Sequence, residues 1–242
     1  MRIYVETDAF THAHEGMSLQ LPEAQAHHVS RVMRRRVGDA LRVFDGRGRE
    51  FEAFLSVVER NRVDVTLGAA LLPTPESPLR VHLGQAISKG DRMDIAIQKS
   101  VELGVAEITP LHTERGDVRL KREREARKWQ HWQAVATSAS EQCGRATLPI
   151  IHPPALLTEW LSERDEPMRL MLQPGCSALD AYGENPGRAS LLIGPEGGFT
   201  AQEVERAAAN GFEILSLGPR ILRTETAPIV ALALLQHRNG DI

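Results

Sequence analysis

The 242-residue chain reads as an α/β protein in two parts, a small β-rich barrel or sheet over residues 1–72 and a mostly parallel α/β domain over residues 73–242. Three observations predict this. Up to residue 72, short alternating runs dominate: RIYV (2–5), ALRVF (40–44), EFEAFLSVV (50–58) and RVDVTLGAALL (62–72). That period-two pattern marks half-buried strands. The segment PTPESP (73–78) then sets three prolines within six residues, which neither a helix nor a central strand tolerates. Beyond it, strand-like runs alternate with helical stretches, the order of a parallel sheet covered on both faces.

In the first part, turn signals such as DGRGR (45–49) separate the strands, and one helix-like stretch, PEAQAHHVSRVMR (22–34), interrupts them. In the second, RVHLGQAI (80–87) reads as a strand. DRMDIAIQKSVELG (91–104) places Met93, Ile97, Val101 and Ile95 in a helical pattern. VAEITPL (105–111) is strand-like, and KREREARKWQHWQAVATSASEQ (121–142) reads as a long charged amphipathic helix. MRLMLQ (168–173), SLLIG (190–194) and FEILSLG (212–218) read as short buried strands. AQEVERAAANG (201–211) is a helix ended by Gly211. ETAPIVALALLQHR (225–238) closes the chain as an apolar helix, with Pro228 in its first turn, where proline is tolerated.

Hydrophobic content of 42% and charged content of 25% fit a globular protein and exclude a disordered one. No apolar run is long enough to span a bilayer, and MRIYVETDAF lacks the apolar core of a signal peptide, so the expected location is the cytosol, without membrane contact. Cys143 and Cys176, far apart and in no CxxC pattern, read as free thiols. A net charge of −3 argues against indiscriminate coating of nucleic acid. Yet residues 27–49 carry seven arginines against two aspartates, and residues 113–128 seven basic against four acidic side chains. A basic region on a mildly acidic chain points to a local anionic partner.

IGPEGGFT (193–200) is an apolar run that stops at bare backbone. In open parallel sheets, ligands bind beyond the carboxyl ends of the strands, and glycine lets backbone approach a ligand closely. The segment is neither GxxxxGK[ST] nor GxGxxG, and Glu196 would repel a phosphate, so a ligand neutral or cationic on this side fits better. The plain alternative is a tight strand-to-helix turn. SLGPRILRTETA (216–227) begins the same way and carries Arg220, Arg223, Thr224 and Glu225 into the last helix. Two successive strand-end glycine loops can converge on one pocket.

Taken together, IGPEGGFT and LGPRILRTETAPIVAL resemble the ribosomal RNA small subunit methyltransferase E family, a branch of the SPOUT class. The resemblance extends through ISKGDRMDIAIQKSVELGV (87–105), Trp129 and Trp132, SEQCGRATLP (140–149) and HHVSRVMRRRVGD (27–39), and so covers essentially the whole chain. It implies an N-terminal PUA-like β-barrel and a C-terminal SPOUT domain with a deep trefoil knot, which periodicity does not reveal. It implies S-adenosylmethionine as cofactor, held bent in the knot. The implied reaction is methylation of N3 of a single uridine of 16S rRNA, in the decoding region of the assembled small subunit. It further implies a homodimer through the C-terminal domain. Two departures stand out: Val101 opens a segment that usually reads Thr-Glu-Leu-Gly, and Gly116 follows Arg115 where serine is usual, which puts in doubt a hydroxyl contact to RNA at that point.

With that cofactor, the carboxylate of Glu196 is acceptable beside a sulfonium. Leu172, Gly194, Gly197, Gly198, Leu217, Gly218, Ile221 and Leu222 are the candidate pocket lining, with plain core packing the alternative for the four apolar side chains. Uracil N3 carries a proton, so a cation near O2 or O4 would favour the deprotonated base. Arg223 is the first candidate for that role, with Arg220 behind it, and Glu225 and Glu196 are candidate proton acceptors. Alternatively, Arg223 pairs with Glu225, or Glu225 complements the helix dipole. Arg31, Arg34, Arg35 and Arg36 would contact phosphates, or form a solvated helix face. Lys89, Arg92, Lys99, Glu141, Gln142 and Arg145 would shape the RNA face or the dimer, and Arg115 belongs with the RNA contacts. No metal is expected: His27 and His28 are adjacent on a helix and diverge by ~100°. Trp129 and Trp132 either stack bases or pack as core.

Three rivals remain from the sequence. One is a related SPOUT enzyme acting on a ribose 2′-OH. A second is a non-catalytic RNA-binding protein, which would not need both glycine loops. The third is a nucleotide-binding enzyme, disfavoured by Glu196 and the missing lysine.

Overall fold

The computed structural model describes residues 1–6, 8–60, 62–116, 122–176 and 186–242. The chain divides into two units, Met1–Glu76 with Ser140–Leu148, and Ser77–Ala139 with Pro149–Ile242. The first division falls inside PTPESP. The second was not legible in the sequence.

In the first unit, β1 (Arg2–Tyr4), β2 (Ser18–Gln20), β3 (Ala40–Phe44), β4 (Glu50–Val58) and β5 (Val63–Leu71) form one sheet in the order β1-β3-β4-β5-β2. The β1–β3 pairing is parallel and the others antiparallel. In β4, Phe51, Ala53 and Leu55 face inward while Glu52, Phe54 and Ser56 face out, the expected alternation. The helix α1 (Glu23–His27) continues as a π-turn over His28–Val32 and packs Ala26 and Val29 into the core beside Ile3, Val43 and Val65. It stops short of Arg34, which has a positive φ of 51°. Arg34, Arg35 and Arg36 therefore lie in the exposed segment beyond the helix, and the solvated helix face weighed as the alternative for the basic run is not formed.

Arg2 ties the segment Ser140–Leu148 to this sheet. Its guanidinium meets both carboxylate oxygens of buried Glu50 at 2.9 Å and donates to the carbonyls of Ser140 and Arg145 at 2.9 and 3.0 Å. A buried carboxylate is tolerable only with such a fork-like, hydrogen-bonded partner. Leu148 N–H donates to Gly46 O at the far end of the segment.

The second unit is built on β6 (Arg80–Ala86), β7 (Glu107–His112), β8 (Ile150–Ile151), β9 (Ala155–Leu156), β10 (Met168–Leu172), β11 (Arg188–Ile193) and β12 (Glu213–Leu215). The strand order is β12-β10-β11-β6-β7-β8, with β9 also on β7, and every pairing is parallel. After a first exposed residue, β6 and β11 are buried without interruption, as strands covered on both faces must be. The helices are α2 (Arg92–Glu102), α3 (Arg122–Cys143, of which Ser140–Cys143 belongs to the first unit), α4 (Leu157–Ser162), α5 (Ala201–Ala209) and α6 (Thr226–Asn239). Lys121, the expected start of the long helix, lies outside the described residues. In α2, Met93, Ile97 and Val101 are buried as the spacing predicts, but Ile95 is 41% exposed, because it falls on the opposite side of the same helix. Trp132 is core, whereas Trp129 is half-buried and donates its indole N–H to Ile151 O.

Helix α4 carries Trp160, fully buried against β6 at Gly84, where a Cβ would come within 2.7 Å of the indole. Trp160, Leu161, Phe199, Ala207 and Phe212 form a core that β11 and β10 complete with Leu192 and Met171. On α6, Gln236 accepts from Ser77 at 2.6 Å and donates to Gly104 O at 3.4 Å, fixing the helix beside α2.

Candidate active site

Because β12, β10 and β11 are adjacent and parallel, their carboxyl ends share one edge. The chain leaves them at Gln173-Pro174, Gly194-Pro195-Glu196 and Ser216-Leu217-Gly218. These exits, with the segment Arg220–Glu225 leading into α6, enclose a cavity of about 400 Å³. That is within the range that holds a drug-sized ligand. The two glycine loops thus face one space.

The structure places Leu172, Gly194, Gly198, Leu217, Gly218, Ile221 and Leu222 in the lining, together with Glu196, Arg220, Arg223 and Glu225. Leu172, Leu217 and Leu222 are half-buried, and Ile221 is 83% exposed. Gly197 is the exception. It does not line the cavity: its backbone turns toward Arg115, whose Cβ is 3.3 Å from where a Gly197 side chain would begin. Gly194 is required for packing, since a Cβ there would lie 2.8 Å from the Phe199 ring. Gly198 holds a φ of 66°, which lets the chain turn back into α5. The Thr200–Glu203 capping box then starts the helix. The Glu203 carboxylate also accepts from Glu114 N–H at 2.8 Å.

The charges are arranged unevenly. Arg92 Nη1 donates to Glu196 Oε1 at 2.5 Å, and this bond, with the charges of Glu196 and Glu225, raises the Arg92 pKa further. Glu225 Oε2 is buried with no hydrogen-bond partner, and Glu225 makes no side-chain cap. Among the described residues no ion pair joins it to Arg223, so the pairing weighed from sequence is not made. Arg220 and Arg223 are exposed.

The expected RNA-contacting residues are divided between the two units. Arg31, Arg34, Arg35 and Arg36 are exposed in the first unit. Arg145, in the same unit, is held by Glu76 at 2.5 Å with a largely covered side chain. Arg115 donates to the carbonyls of Gly197 and Phe199, both at 3.3 Å, and so braces the glycine loop. Arg92 lines the cavity, and Lys89 is exposed just before α2. Sequence reasoning missed Gln173, whose buried Oε1 has no partner at the cavity. Its signal was its place, directly after a strand, as Gly194 is.

Among the described residues, one set has the spacing of metal ligands: His82, Glu107 and His152, at the opposite, amino-terminal edge of the sheet. Arg164 donates to His82 there and lies 3.2 Å from Glu166. Burial and then Arg164 push His82 down to about 4, while the His152 hydrogen bond pulls Glu107 down to about 2.

Two family models match the chain, an RNA methyltransferase domain over residues 75–236 and an RNA methyltransferase PUA domain over residues 21–68. A ribosomal RNA small subunit methyltransferase E of Buchnera aphidicola subsp. Schizaphis graminum is 35% identical over 93% of this chain and 92% of its own length. The chain belongs to the ribosomal RNA small subunit methyltransferase E family. The Bacillus subtilis member is 31% identical over 93% of this chain and 91% of its own. Among solved structures, a Legionella pneumophila protein described as a methyltransferase, in complex with SAM, superposes with a TM-score of 0.95 at 42% identity, covering 100% of this chain and 98% of that one. The family member from Neisseria gonorrhoeae, bound to S-adenosyl methionine, gives 0.90 at 38% identity with the same coverages. The PUA-like and SPOUT-like architecture expected from the resemblance is that of this family.

Proposed function

We propose that this chain is an S-adenosylmethionine-dependent methyltransferase of ribosomal RNA, acting on N3 of one uridine of 16S rRNA in the decoding region of the assembled small subunit. The observation that carries the reading is the convergence of both glycine loops on one cavity that also presents carboxylates and arginines. The residues fit the cofactor: exposed strand-end backbone can meet an adenine edge, Gln173 Oε1 and Glu225 Oε2 await partners, and the acidic groups accept a cationic sulfur. Leu172, Leu217, Ile221 and Leu222 would cover its apolar parts, with Gly194, Gly198 and Gly218 allowing close approach. When bound, S-adenosylmethionine supplies an electrophilic methyl group on a sulfonium.

The chain's own residues then have separable tasks. Arg223, backed by Arg220, stabilises negative charge on uracil O2 or O4 as N3 loses its proton. Glu225 is better placed than Glu196 to take that proton, because Glu196 is engaged by Arg92. The remaining contribution is positioning of nucleophile and methyl carbon in line. Arg31, Arg34, Arg35 and Arg36 give phosphate contacts without sequence readout.

A deep trefoil knot around the cofactor, a PUA-like RNA-binding domain over residues 1–72 and a homodimer through the C-terminal domain belong to the same reading. Family membership supports all three, and the 46% exposed Leu234 on apolar α6 supports the last. The reading requires the cytoplasm, where small subunits are assembled, and no helix among the described residues is long and apolar enough to cross a membrane.

The test is mass spectrometry of nucleosides from small subunits that lack the modification, incubated with the protein and methyl-labelled S-adenosylmethionine. Labelled 3-methyluridine is expected. A labelled 2′-O-methyl nucleoside would keep cofactor and fold but overturn the target atom. Absence of label from subunits and free rRNA alike would overturn the enzyme reading.

A further inference from the structure

We infer that Gln85 and Thr224 form a buried clasp that joins the two glycine-loop walls of the cavity and positions Arg223 and Glu225. The inference rests on the cavity being the S-adenosylmethionine site. Gln85 lies near the carboxyl end of β6, fully buried, and pairs in register with Ile193, the last residue of β11. A primary amide in a sheet covered on both faces is costly unless it is hydrogen-bonded. Its Nε2 donates to Thr224 Oγ1 at 3.1 Å and to Ala86 O at 3.3 Å. Thr224, only 6% exposed, donates in turn to Gly194 O at 2.8 Å.

The direction of this chain is fixed by counting protons. A threonine hydroxyl has one hydrogen, and Gly194 O can only accept. The hydroxyl must therefore accept from residue 85, and only the NH₂ side of the amide can donate. The donor side of the amide is thereby used, while Gln85 Oε1 stays buried without a partner, so the Nε2 bonds alone hold the side chain in place. The clasp links residues 139 and 30 positions apart. It ends on the first residue of a loop whose glycines offer no side chains to hold it. Thr224 also sits between Arg223 and Glu225 in sequence, so anchoring its side chain inward constrains the backbone from which both flanking side chains project. Gln85 and Thr224 are positioning residues, not catalytic ones.

The test compares Thr224→Val, which keeps the shape and loses the hydroxyl, Gln85→Met, the double variant, and Thr224→Ser, which restores the hydroxyl. S-adenosylmethionine affinity is measured by calorimetry, single-turnover rate on small subunits at saturating cofactor, and amide exchange over residues 196–199. Thr224→Val and Gln85→Met should each weaken cofactor binding about tenfold, ~1.4 kcal/mol, lower the rate further and speed exchange in the loop. The double variant should lose no more than either alone, since one clasp is broken. Thr224→Ser should recover binding to within about threefold. Wild-type affinity and rate in Thr224→Val, or additive losses in the double variant, would overturn the clasp. Should Thr224→Val not fold, Gln85→Met carries the same test, and failure of both to fold would reduce the pair to a structural role. A wild-type protein that binds no S-adenosylmethionine would remove the cavity reading first, and the clasp with it.

Discussion

A methyl group added at Gly194 would stand 2.8, 3.1 and 3.3 Å from three carbons of the Phe199 ring. Ordinary carbon contacts are ~3.5–4.0 Å, so the ring must retreat by roughly 0.5–1 Å. It has little room: Phe199 is 4% exposed and packed among Trp160, Leu192, Ala207 and Phe212. Overpacking of such a core costs ~1–3 kcal/mol. Gly194 does not hold a positive φ, so replacing it by alanine returns ~0.4–1 kcal/mol through the unfolded chain. The net expectation for Gly194→Ala is a destabilisation of ~1–2 kcal/mol, or ~2–8 °C in Tm at this chain length. Because Phe199 O is also an acceptor for Arg115, ring displacement disturbs the loop brace, and S-adenosylmethionine affinity should fall about tenfold. Thermal melts and calorimetry read both quantities. Phe199→Leu in the Gly194→Ala background should recover part of each, a non-additive pair. An unchanged Tm with unchanged affinity, or strictly additive effects of the two substitutions, would refute the argument that the ring dictates glycine at this position.

The other predictions concern separate parts of the molecule. Arg223→Ala should cut the methylation rate ~100-fold or more while changing cofactor affinity little; equal losses would move that arginine into the cofactor site. Replacing Arg34, Arg35 and Arg36 by alanine should weaken rRNA binding regardless of sequence and flatten its log–log salt slope by ~0.7–0.9 per lost phosphate contact; an unchanged slope would remove these residues from the interface. His82 titrates at about 4 when folded, below its ordinary 6.5, so its contribution to stability is present above pH 6.5 and lost as pH falls through 4. Glu107, lowered to about 2 from 4.5, extends the loss to lower pH. Melts from pH 7.5 to 3 should therefore show a falling Tm whose upper limb flattens in His82→Gln; an unaltered profile would mean that His82 is not held neutral by burial.

The pattern of residues determined the strands of five or more residues, the parallel domain and both glycine loops, because contiguous burial and alternation are periodic signals. It also determined which loops to suspect, since GPEGG and RILRTETA are chemically unusual wherever they lie. It did not reveal β8 or β9, each two residues long and too short for any period, nor α4, six residues long behind a pair of prolines; β2 is missed as well, although it is as long as β1 and β12 and lies in MSLQL (17–21), which does alternate. Nor did it separate arginines by task. Arg92, Arg115 and Arg145 look alike in sequence, yet one lines the cavity, one braces a loop and one pairs with Glu76. Those tasks depend on which strand ends become neighbours and where each side chain points. The same holds for Gly197, which the loop turns toward Arg115, and for Gln85, a lone amide near the end of a strand-like run. Local sequence fixes which backbone is bare; only the packing of β10, β11 and β12 side by side decides what that backbone faces, because long-range pairing, not propensity, sets the order of strands in a sheet.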